Sequence, residues 1–161
     1  MLFDFWNRPS HYKRIDSILS RSAQIGKKNI QWLKRDGVTD IISFREAPYP
    51  REFNEKELVQ ACGLRFYRIP TTGFGVRSRD LWKFLTIIKH ASKKHNKVHI
   101  HCKFGAHRTG LFAYLYERIF NIKTKEKCFE EFDRFSYHYN KYEQTLEWIE
   151  KFITRNFKNF K

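Results

Sequence analysis

Cys102 and Arg108 stand at the two ends of one short segment, Cys-Lys-Phe-Gly-Ala-His-Arg, with His99, His101 and His107 around it. A thiol is a nucleophile only as its thiolate, and a positive local field favours that ionisation. The apolar run "KVHIHC" before the segment reads as a strand, and "RTGLFAYLYERIF" after it reads as a helix beginning near Thr109. In that context the backbone N–H groups of the loop and of the helix N-terminus converge on one point and form a cradle for an anion. Lys103, Phe104, Gly105, Ala106, His107, Arg108 and Thr109 are the expected phosphate-binding positions. Gly105 and Gly110 let the backbone approach where a Cβ would obstruct it. Arg108 offers a planar fork for two oxygens of a phosphoryl group. A thiolate aimed at a cradled phosphorus attacks it and forms a covalent intermediate. Thr109 is placed to donate its hydroxyl to the sulfur as it leaves, and His101 to orient the loop. The same residues suggest a zinc site of His99, His101, Cys102 and His107, but it would hold one thiolate and matches no usual ligand spacing. The covalent reading is the stronger.

The elements that must position this loop follow from the flanking pattern. Short strands are expected near Tyr12 to Ile15 and Ile18 to Ser20, and "VTDIISF" (38–44) and "LRFYRIP" give two more. "GKKNIQWLKRDG" reads as a helix closed by Gly37, and "FNEKELVQACG" as one closed by Gly63. Between them "REAPYPRE" is a loop, since two prolines break any regular ladder. From Ser78 to about His95, Leu81, Phe84, Leu85 and Ile88 recur at helical spacing. "TKEKCFEEFDRF" and a stretch from about Tyr142, with Leu146, Ile149 and Ile153 on one stripe, add two helices. Alternating strands and helices predict one α/β domain over residues 1–161, with a mostly parallel central sheet flanked by helices. Ligands bind such sheets beyond the carboxyl ends of the strands, where "HIHCKFGAHRTG" lies.

The chain has 161 residues and 41% hydrophobic content, enough for one sizeable core. No apolar run reaches the roughly 20 residues of a membrane span, and "MLFDFWNRPS" lacks the order of a signal peptide. Three irregularly spaced cysteines suggest no disulfide framework, so a cytoplasmic setting is expected. Cys62 and Cys128 read as small core hydrophobes. A formal charge of +15 attracts anionic partners, although the lysines of "KHASKKHNK" and "TRNFKNFK" read as a solvated surface.

"HCKFGAHRTG" resembles the His-Cys-x5-Arg-Ser/Thr-Gly signature of the cysteine-dependent tyrosine and dual-specificity phosphatases. From about residue 20 to 135, "SRSAQ", "LKRDGVTDIISFRE", "PYPREFNE", "GLRFYRIP" and "FEEFDRF" are similar to stretches of their atypical plant, fungal and bacterial group. The resemblance implies a phosphatase-type fold, Cys102 as nucleophile, Arg108 as clamp and no metal or cofactor. It weighs against the low-molecular-weight phosphatases, whose cysteine lies near the N-terminus. Gln24 and Arg45 fall in matching stretches, but spacing assigns them no chemistry.

The chain departs from the family at the general acid. Most relatives carry an aspartate after the strand matching "FYRIP", where this chain reads "TTGFGVRSR", without a carboxylate before Asp80. Asp80 is a candidate acid, yet acidic residues favour helix starts, and that reading is preferred. His107, Glu130, Glu131 and Asp133 are further candidate donors. A phenolate (conjugate acid pKa about 10) needs such help more than a phosphate leaving group does. A cationic loop of Lys103, His107 and Arg108, with Arg77 and Arg79 at its rim, suits a polyphosphorylated substrate. The expected partners are an inositol polyphosphate such as an inositol pyrophosphate, an RNA 5′-triphosphate, or a phosphoprotein if the acid is unusually placed. The contrasting class is a module that binds phosphate without turnover. "FSYHYNKY" is a candidate lining for the cleft beside the loop, but reads mainly as turn and core packing.

Overall fold

The computed structural model describes residues 6–46, 54–136 and 139–157. In chain order the elements are β1 (Lys13–Arg14), β2 (Leu19–Ser22), α1 (Lys27–Arg35), β3 (Val38–Ser43), α2 (Glu55–Ala61), β4 (Arg65–Arg68) and α3 (Ser78–Lys93). β5 (Lys97–His101), α4 (His107–Ile119), α5 (Lys125–Ser136) and α6 (Tyr139–Asn156) complete the fold. The strands form one sheet in the order β1-β2-β5-β3-β4. All neighbours are parallel except β1, which pairs antiparallel with β2 at the edge. The expected α/β architecture with a mostly parallel sheet is the one observed.

The glycines predicted to end α1 and α2 do so in the left-handed region, Gly37 at φ 90° and Gly63 at φ 77°. Most of the "REAPYPRE" loop lies outside the described residues. The edge strand β1 is only two residues long, because the chain turns back at Asp16, whose Oδ1 accepts from the Ile18 and Leu19 N–H groups. Two helices begin earlier than periodicity predicts: α4 at His107 rather than near Thr109, and α6 at Tyr139 rather than about Tyr142. A polar first turn carries no apolar stripe, so periodicity alone does not register it.

β5 lies at the centre of the sheet, and its alternation decides what each side chain meets. Val98, Ile100 and, just beyond the strand, Cys102 join the larger core, which includes Leu111, Phe112 and Leu115 of α4, Phe84 of α3 and Leu146 of α6. His99 and His101 point to the opposite face, where α1 and α2 pack Ile30, Leu33 and Val59 against Ile41. On β2 the same alternation puts Leu19 and Arg21 on the α4 side and Ser20 and Ser22 on the other. Among the described residues no helix is long and apolar enough to cross a membrane.

Candidate active site

β5 ends at His101, and Cys102 follows with only 3% of its surface exposed. The chain loops through Lys103–Ala106 and enters α4 at His107, so the loop and the N-terminus of that helix follow directly on the thiol. Neighbouring backbone pins the loop. The Gln24 N–H donates to the Lys103 carbonyl (3.1 Å), and the Phe44 N–H donates to that of His101 (3.0 Å). Gly105 adopts φ 71°, and a Cβ there would lie 2.5 Å from the Ser22 carbonyl carbon. A side chain at position 105 therefore meets both backbone strain and a backbone collision. At Gly110 a Cβ would lie 2.9 Å from the Phe132 ring, so the first turn of α4 seats against α5 only without one.

Arg108 Nη1 donates to the carbonyls of Phe44 and Thr71, each at 3.3 Å. The guanidinium thus bridges the ends of β3 and of the segment after β4, beside the loop. Thr109 is fully buried, and its hydroxyl has no hydrogen-bond partner among the described residues. His101 faces α2, with Glu55 Oε1 2.5 Å from its Nε2. Arg45 Nη1 donates to Gln24 Oε1 (2.6 Å), and Gln24 Nε2 donates to Glu55 (3.4 Å). Gln24 and Arg45, to which spacing assigned nothing, therefore link the loop to the carboxylate beside His101.

The four proposed zinc ligands do not converge. His99 lies between the Ser20 and Ser22 hydroxyls, at 2.8 Å from each, on the face away from Cys102. Burial holds its pKa well below the usual imidazole value, and His101 adds to the effect. His107 Nε2 lies 2.9 Å from the Ser136 carbonyl, an acceptor only, so this nitrogen carries the proton and donates it. Among the described residues no three His, Cys, Asp or Glu side chains are grouped to hold a metal ion.

The candidate acids lie on α3, α4 and α5. Asp80 sits in the first turn of α3, where its Oδ2 accepts from the Arg77 backbone N–H and from Arg77 Nε, both at 3.1 Å. Its other oxygen lies 3.8 Å from Arg79 Nε, so both rim arginines are turned toward this carboxylate. The helix-start reading describes this geometry. Asp80→Asn keeps an acceptor for the N–H. It should leave phenyl-phosphate turnover almost unchanged, far from the roughly 10²–10⁴-fold loss that follows removal of a positioned acid. A loss of that size, graded by leaving group in steady-state assays, would make Asp80 the acid. The Nε2 proton of His107 is committed to Ser136. Glu130 and Asp133 are exposed, and Glu131 faces Lys13 (2.5 Å), Arg21 and Lys123.

The loop after β4 presents an aromatic. Phe74 is 61% exposed and stacks on Tyr142 (4.7 Å), which stacks in turn on His107 (4.9 Å). "FSYHYNKY" thus supplies part of the wall beside the loop as well as packing; Tyr137 and His138 lie outside the described residues. Burial raises the Tyr142 pKa, and Arg108 opposes the shift. Of the other two cysteines, Cys62 caps α2. Cys128 is buried in the core, which pushes its thiol up to about 12, with Glu117 adding to the rise.

The PTP-like phytase family model, described by inositol hexakisphosphate, matches residues 16–120. The dual-specificity protein phosphatase TpbA of Pseudomonas aeruginosa (strain UCBPP-PA14) is 26% identical over 121 residues, covering 75% of this chain and 52% of TpbA. The chain therefore spans about half the length of that curated relative. A crystal structure of TpbA superposes with a TM-score of 0.65 at 25% identity, covering 76% of this chain and 71% of that one. A TpbA variant has been crystallised in complex with phosphotyrosine. The catalytic domain of the PP-IP phosphatase Siw14 from S. cerevisiae, in complex with citrate, shares the fold at a TM-score of 0.69 and 20% identity, covering 92% of this chain and 94% of that one. With the signature loop at the end of the central strand and the family model matched across most of its length, this chain belongs to the PTP-like phytase family of cysteine-dependent tyrosine and dual-specificity phosphatases.

Proposed function

We propose that the protein is a phosphatase that acts through phosphocysteine, with polyphosphorylated small molecules of the inositol polyphosphate or pyrophosphate class as its favoured substrates. The observation that carries the reading is a buried Cys102 at the base of the loop, with the Arg108 fork beside it and the free Thr109 hydroxyl in the next position. In the first step the Cys102 thiolate attacks phosphorus, and the bond from phosphorus to the leaving oxygen breaks with its electron pair on that oxygen. Arg108 and the loop N–H groups hold the equatorial oxygens, where charge builds up. In the second step water attacks phosphorus, the S–P bond breaks, and inorganic phosphate leaves as the thiolate reforms. Thr109 stabilises that thiolate by donating its hydroxyl.

The substrate preference rests on the loop after β4. It carries Phe74 in place of a carboxylate, and Asp80 is held at the start of α3. A phosphate leaving group, as in the cleavage of a pyrophosphate, departs without a strong acid, whereas a phenolate or an inositol alkoxide gains from one. The formal charge of +15 attracts such substrates. The family description and the PP-IP phosphatase neighbour point the same way. The test is phosphate release from an inositol pyrophosphate, a phosphotyrosine peptide and an RNA 5′-triphosphate, compared side by side. We expect the highest kcat/KM on the inositol pyrophosphate. A higher value on phosphotyrosine would reverse the preference, and oxyanion binding without release from any substrate would favour the binding module.

A further inference from the structure

We propose that Arg21 is a positioning residue of the phosphate cradle, holding the signature loop from behind so that its N–H groups face the bound oxyanion. The proposal rests on the phosphatase reading of this loop and adds a part that the signature does not contain. Arg21 lies in β2, where its register partner on β5 is Ile100, two residues before Cys102. Strand alternation puts its side chain on the α4 and α5 side of the sheet, the side of Cys102. There Nη2 donates to the Gly105 carbonyl at 2.7 Å and reaches toward that of Ala106 at 3.5 Å. A peptide plane has its C=O and N–H on opposite edges. Fixing the Gly105 and Ala106 carbonyls toward Arg21 therefore turns the next two N–H groups, of Ala106 and His107, the other way.

The residue is costly to keep, which argues that it is not incidental. Only 5% of Arg21 is exposed, and burial lowers its pKa against the pull of Glu131, Glu117 and Cys102. Its carboxylate partner is Glu131, 3.8 Å from Nη1. Glu131 also pairs with Lys13 and Lys123, and Lys123 reaches Glu117 at 2.6 Å. Burial pushes the Glu131 carboxyl up, but its lysine partners more than offset this and hold it below the usual range. The Phe135 ring lies 5.4 Å from the guanidinium carbon. At Gly110 a Cβ would lie 3.6 Å from Nη2, at ordinary contact distance, so the first turn of α4 runs beside this side chain. The guanidinium suits the task because its donors form a rigid fork able to serve two carbonyls and a carboxylate together, which an ammonium cannot do. Two of the partners belong to the loop, so losing the side chain frees the loop itself as well as its surroundings.

The test compares Arg21→Met and Arg21→Lys with the wild type in tungstate binding, measured by calorimetry, and in steady-state phosphate release. We expect Arg21→Met to weaken tungstate binding and to lower kcat/KM by about 10²-fold, the scale of a misplaced reacting group. Arg21→Lys should recover part of both losses, because it keeps one donor. Leu33→Ala controls for stability: it opens a position in the smaller core on the other face of the sheet, apart from the cluster that Cys102 joins, so its melting temperature should fall while tungstate affinity stays at the wild-type value. Wild-type tungstate affinity in Arg21→Met overturns the proposal, as does an equal loss of affinity in Leu33→Ala. A wild type that binds tungstate but releases phosphate from no substrate removes the phosphatase reading, and the role of Arg21 is then judged on affinity alone.

Discussion

Cys102→Ser should abolish turnover while leaving oxyanion binding close to wild type. In the proposed mechanism the cradle consists of backbone N–H groups and the Arg108 fork, none of which depends on the sulfur atom. Serine is nearly isosteric, so a position with 3% exposure accepts it without repacking. Its hydroxyl, however, does not ionise near neutral pH as an activated thiol does. Loss of a nucleophile from an assembled site costs on the order of 10⁴–10⁶-fold in kcat. Phosphate release should fall to background on every substrate while tungstate still titrates to one site per chain. The wild type, treated with EDTA, should keep its activity, and mass spectrometry of the quenched wild-type reaction should show a phosphate adduct on Cys102. Substantial turnover by the serine variant, or activity lost on chelation and restored by zinc, would overturn the covalent mechanism.

Arg108→Lys is expected to lower kcat/KM by about 10²–10³-fold, the scale of losing one preorganised transition-state donor, although the formal charge is unchanged. The reason is geometric. Nη1 already spends its hydrogen bonds on the Phe44 and Thr71 carbonyls, and those bonds fix the plane of the guanidinium. The remaining donors lie in that plane and can present two parallel N–H groups to a phosphoryl oxygen pair. An ammonium satisfies the same carbonyls but has no second edge to offer. KM for the best substrate should rise less than kcat falls, since the fork matters most where charge has built up. Near-normal kinetics in this variant would mean that Arg108 is not the clamp.

The local parts of this architecture were legible in the sequence. Gly37 and Gly63 marked helix ends because left-handed φ values favour glycine. The run from "KVHIHC" into "RTGLFAYLYERIF" marked the loop because the residue period changes there from 2 to 3.6. Strand alternation alone would have shown His99 and His101 pointing away from Cys102 and removed the zinc alternative. Arg21 was harder to see. It lay in "SRSAQ", read only as a matching stretch, and which side of the sheet it takes depends on a pairing 79 residues away, Arg21 with Ile100. A charged residue inside an otherwise buried strand was the available signal. Glu131 was considered as a proton donor by virtue of its helix. Whether that helix presents it to substrate or to Arg21 is a matter of how α5 packs, which no periodicity encodes. The wall of Phe74, Tyr142 and His107 joins three distant segments; the sequence offered "FSYHYNKY" as a cleft lining, but not the partners it would stack on.

The close approach of Gly105 to the Ser22 backbone bears on how this gene tolerates change. Every single-base substitution in the first or second position of a glycine codon either adds a Cβ or ends translation. At this site any Cβ meets main chain, which has no rotamer to give way. The codon for residue 105 is therefore closed to one-step missense variation in a way that the codon for Lys103, with its side chain in solvent, is not. A saturation library sorted for activity should be as empty at this position, which contributes no side chain to the chemistry, as at Cys102 itself.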